Sequence, residues 1–69
     1  MDKHSLTLAG HRTSVTLEAE FWAAFRALAA KRGLALNELA RQIDGSRDPS
    51  VNLASAIRLA VLADLQGKP

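Results

Sequence analysis

The sequence predicts a mainly α-helical domain with one short β-strand per chain, the strand leading into helices, and two such chains associating. Three observations predict it. The stretch "HRTSVTL", His11 to Leu17, alternates polar and apolar side chains at the period of a half-buried strand. After it, apolar residues recur at helical spacing, broken only at Gly33 and in the run "GSRDPSVN". The chain has 69 residues and no cysteine, so disulfides and thiolate metal sites cannot stabilise so small a core. Association of chains is the remaining remedy, and a composition 48% hydrophobic supplies surface for it.

In the strand, over about 11–17, Thr13, Val15 and Leu17 point to one face and Arg12, Ser14 and Thr16 to the other. A lone strand leaves its ladder hydrogen bonds unmade, so it requires a partner. Upstream, Leu6 and Leu8 alternate with Ser5 and Thr7, which suits a second strand. The apolar parity then shifts at Gly10, from even positions to odd, as at a bulge or a turn. "AGHR" could close a hairpin within the chain, yet it lacks the Asn-Gly or Asp-Gly of a tight two-residue turn. The partner is therefore open at this point: a hairpin strand, or a strand of another chain.

The first helix is expected over about 18–32. Phe21, Trp22, Phe25, Leu28 and Ala29 form one apolar stripe, with Glu18 and Glu20 at the start and Lys31 and Arg32 at the end to complement the helix dipole. Gly33 suits a left-handed C-terminal cap. A second helix, about 35–44, would turn Leu36, Leu39, Ala40 and Ile43 inward and stop at Gly45. A third, about 53–66, has Asn52 or Ser50 as N-cap. Leu53, Ile57, Leu59, Val61, Leu62 and Leu65 cover most of its circumference, so it must be buried on most sides, and a second subunit is expected to bury it.

Several function classes find little support. No segment reaches the ~20 apolar residues of a membrane span, and "MDKHSLTLAG" has no signal-peptide core, so a cytoplasmic protein is expected. His4, His11 and Asp2 lie near the terminus without a pocket behind them, and no serine sits in a nucleophile pattern, so an enzyme is not expected. No metal-ligand set or cofactor motif is present, and the sequence reads as having no internal repeat. The net charge of +2 permits nucleic acid without arguing for it.

The stretch "RTSVTLEAEFWAAFRALAAKRGLALNELARQI", Arg12 to Ile43, resembles the ribbon-helix-helix family of DNA-binding proteins, the Arc and methionine-repressor class. "TSVTLE" looks like its strand, "FWAAFRALA" like its first helix core and "RGLALNEL" like its inter-helix turn. "GHRTSVTLE" with "EFW" and a later "NLASAIRLAVL" resembles a bacterial subgroup with a third helix.

That resemblance implies a homodimer in which the strands of two chains pair antiparallel as an intermolecular ribbon and enter the major groove of double-stranded DNA. It implies Arg12, Ser14 and Thr16 as base-reading side chains, and a small bacterial transcriptional regulator, a repressor, as the function. Phosphate contacts would come from Lys3 and from the backbone amides of Leu36 and Asn37. The family's capping Ser or Thr is replaced here by Ala35, which cannot cap. Val15, Leu17, Trp22, Phe25, Ile57 and Val61 are the expected dimer core. The alternative is a dimeric protein-interaction module or adaptor of the same fold that does not bind DNA, docking a protein partner instead.

Overall fold

A computed structural model describes residues 1–68. Its elements run β1 (Asp2–Leu8), β2 (His11–Leu17), α1 (Ala19–Lys31), α2 (Leu36–Ser46) and α3 (Leu53–Leu65). The helices are those expected; the strand count is not. There are two strands per chain, and the partner of β2 is β1, antiparallel, in the same chain.

The turn between them is Ala9–Gly10, with φ of 49° and 84°. Positive φ at both central positions is the mark of the type I′ turn, whose twist matches that of the strands it joins. Gly10 adopts it freely, whereas Ala9 pays roughly 1–2 kcal/mol for the left-handed region. The shift of parity at Gly10 is a consequence of this turn. Each cross-strand couple joins an even position to an odd one, such as Leu6 with Thr13 or His4 with Val15. Even-numbered leucines of β1 therefore share the inner face with odd-numbered apolar residues of β2. Ala9→Asn, which tolerates positive φ, is expected to raise stability by about 0.5–1 kcal/mol, seen as a higher urea midpoint without a change in slope.

The inner face of the hairpin, Leu6, Leu8, Val15 and Leu17, closes over the helices. Beneath it lie Trp22, Phe25, Leu28 and Ala29 of α1, Leu39, Ala40 and Ile43 of α2, and Ala56, Ile57 and Val61 of α3. Leu17, Phe25, Leu39 and Ile57 are completely buried. Two leucines contributed by β1 thus help to cover a core that a one-strand chain would leave open. Trp22 fastens the open end of β1: its Nε1–H donates to the Asp2 carbonyl at 2.8 Å, and the His4 ring meets it edge-on with centroids 4.8 Å apart.

Local signals fix the helix ends. Gly33, at φ 68°, ends α1 with its N–H on the Ala30 carbonyl and the Leu34 N–H on the Ala29 carbonyl, a Schellman motif. Asn52 caps α3, its side chain accepting from the Ser55 N–H at 2.8 Å. Gly45 does not stop α2, which continues to Ser46. The helix ends where Arg47 turns extended, just before the Asp48–Pro49 pair, whose proline disfavours a helical residue ahead of it. Arg47 then ties the loop together, Nε to Asp44 and Nη1 to the Val51 carbonyl, both at 2.8 Å.

Candidate functional site: the outer face of the ribbon

The side chains pointing away from the core come in cross-strand couples: Lys3 with Thr16, Ser5 with Ser14, Thr7 with Arg12. All of them are exposed. Leu8 and His11 flank a two-residue turn and so form a hydrogen-bonded couple. The outward couples alternate with that kind and are the non-hydrogen-bonded ones, whose Cα atoms approach to about 4.5 Å. The result is a narrow polar surface. It holds no carboxylate, because Asp2 falls in register with Leu17 on the inner-face parity. Lys3 and Arg12 make no ion pair among the described residues, whereas Lys31, Arg41, Arg47 and Arg58 are paired with Asp64, Glu38, Asp44 and Glu18.

Helix N-termini lie along both edges of this ribbon. On the β1 side, the Thr7 N–H donates to Asn37 Oδ1 at 3.2 Å, which brings the first turn of α2 against the strand. Ala35 makes no side-chain cap. The amides of Leu36 and Asn37 thus lack intrahelical acceptors, as first-turn amides do. Glu38 stands in the same turn, and the Arg41 guanidinium hydrogen-bonded to it holds its carboxyl below the usual range. On the β2 side, a groove of about 330 Å³ separates Thr13, Ser14, Val15 and Thr16 from Asn52, Leu53 and Ala54 at the start of α3.

The expected base-reading residues Arg12, Ser14 and Thr16 therefore share one outward face, and Asn37 lies at its edge. Lys3 stands on the face itself, opposite Thr16, not beside the ribbon. Val15, Leu17, Trp22, Phe25, Ile57 and Val61, expected in a dimer core, are all buried within the one chain. What stays uncovered on α3 is the stripe Leu59, Leu62 and Leu65, at 57%, 47% and 74% exposure. Arg58, beside it, pairs bidentately with Glu18 at 2.9 and 3.1 Å while lying over the Phe21 ring. Among the described residues no cluster of His, Cys, Asp and Glu could hold a metal, and no helix is long and apolar enough to cross a membrane.

The sequence reading also missed a repeat. "KHSLTL", Lys3 to Leu8, and "RTSVTL", Arg12 to Leu17, share the order cation, any residue, Ser, aliphatic, Thr, Leu. The residue between cation and serine differs and the copies are only six residues long, which makes the similarity easy to overlook until both copies are seen to form one ribbon.

A hairpin with a polar outer face, laid on three helices, defines a small ribbon-and-helix domain. The chain belongs to the ribbon-helix-helix domain family, whose model matches residues 1–65. Members of that family are typically DNA-binding transcription regulators and typically form homodimers. No curated protein and no solved structure matches the chain.

Proposed function

We infer that this protein is a double-stranded-DNA-binding transcriptional regulator that lays its ribbon in the major groove and represses by occupying an operator. The observation that carries this is the outer face of the hairpin: polar throughout, free of carboxylates, with a cation toward each end that is unpaired among the described residues. The major groove is wide enough to admit a two-stranded ribbon. Arg12 can contact guanine O6 and N7, and Ser14 and Thr16 can donate to or accept from either base pair. The amides of Leu36 and Asn37 would then meet phosphate oxygens and set the register.

A homodimer fits the same reading. Its interface would be the exposed stripe Leu59, Leu62 and Leu65 of α3. Two chains joined in this way present two ribbons to one operator.

The test is equilibrium binding of a mixed-sequence duplex by fluorescence anisotropy at 50 and 200 mM salt. Neutralising about five phosphates predicts a loss of affinity of a few hundred-fold between those conditions. No binding at 50 mM salt would overturn the proposal and favour a protein-interaction module built on the same fold.

A further inference from the structure

We propose, resting on the DNA-binding function inferred above, that the ribbon of a single chain is a complete reading head in which Lys3, Ser5 and Thr7 of β1 read bases as the counterparts of Arg12, Ser14 and Thr16 of β2. The repeat and the register together carry this. Antiparallel pairing sets Lys3 against Thr16, Ser5 against Ser14, and Thr7 against Arg12. Exchanging the two strands about the Ser5–Ser14 couple carries each cation onto the other cation, serine onto serine and threonine onto threonine. One chain therefore has the pseudo-two-fold polar face that two identical strands would make. Its inner face follows the same relation, Leu6 matching Val15 and Leu8 matching Leu17, all four buried.

Each strand also has a helix N-terminus along its outer edge: α2 beside β1, in contact through Asn37, and α3 beside β2, across the groove at Asn52 to Ala54. A face with this symmetry matches the dyad of duplex DNA, so the β1 triplet and the β2 triplet address opposite strands. Lys3 and Arg12 stand diagonally, about four residues apart along the ribbon, or about 14 Å. That separation corresponds to about four base pairs at 3.4 Å each. Both side chains suit guanine O6 and N7, but Arg is the bidentate partner and Lys a point charge. The site should be a quasi-palindrome whose two ends differ in stringency.

The test is selection from a randomised duplex library by the wild type, Arg12→Ala and Lys3→Ala, with circular dichroism confirming that each variant is folded. The expected wild-type core has a guanine preference toward each end, on opposite strands and about four base pairs apart. Arg12→Ala should relax one end by about 10- to 100-fold in discrimination and Lys3→Ala the other by a smaller factor. If Arg12→Ala relaxes both ends equally while Lys3→Ala weakens all sequences uniformly, the ribbon is built from β2 of two chains and the proposal is overturned. Wild-type binding without sequence preference overturns it too, leaving DNA binding in place. Failure of the wild type to bind any duplex overturns the inferred function as well.

Discussion

Trp22→Ala is expected to leave much of the chain unfolded at room temperature. The indole is 1% exposed and packs against Phe25 with ring centroids 6.1 Å apart. Its removal leaves a cavity under the hairpin, and aromatic truncations of that kind cost about 3–5 kcal/mol. A domain of this size holds only about 3–10 kcal/mol in total, at about 0.05–0.15 kcal/mol per residue. The substitution also strands the Asp2 carbonyl and the edge of His4, both of which meet this ring. Helical circular dichroism should fall sharply and the urea midpoint should shift toward zero. Trp22→Phe separates the two roles: it keeps most of the ring volume but loses the Nε1–H donor, so the helices should persist while the Asp2 end of β1 frays. A Trp22→Ala variant as stable as the wild type would mean that the hairpin is not packed on α1 as described.

Ser14→Asp is the complementary change, large in binding and small in stability. Ser14 is exposed at the centre of the outward face, opposite Ser5, and no element of the chain rests on its hydroxyl. Aspartate is a poor strand former, which costs less than about 1 kcal/mol. Toward DNA the effect is of another order. The duplex carries one negative charge per ~1.7 Å of its axis, and the new carboxylate sits in the middle of the surface that must approach it. Like charges brought together at an interface cost several kcal/mol, so affinity should fall by about a hundredfold or more. The thermal transition should move by less than about 8 °C.

Most of the helical scaffold is legible in the sequence because its signals are local. The stripe of α1, the glycine that ends it and the asparagine that caps α3 all act through neighbours within a turn. The partner of β2 is not local in that sense. Its evidence was a turn without the usual Asn-Gly pair, and the change of apolar parity that reveals the hairpin fits a bulge equally well until pairing is known. The covering of α3 is not local either: Ile57 and Val61 are buried within the chain, while Leu59, Leu62 and Leu65 stay exposed. Leu6 and Leu8 of β1 belong to the same buried cluster as Ile57 and Val61, which nothing within α3 itself states. On the ribbon, Arg12, Ser14 and Thr16 follow from alternation alone. Ser5 and Thr7 join them only once the register is known, because nothing in one strand states which residues stand opposite it.

The proposed DNA-binding surface is the outer face of the hairpin. Its most direct test is a titration of one mixed-sequence duplex by the wild type and by Ser14→Asp, side by side at 50 mM salt. The wild type should bind, and the folded variant should need at least about a hundredfold more protein to do so. Equal affinities would contradict it and place any DNA contact elsewhere on the molecule.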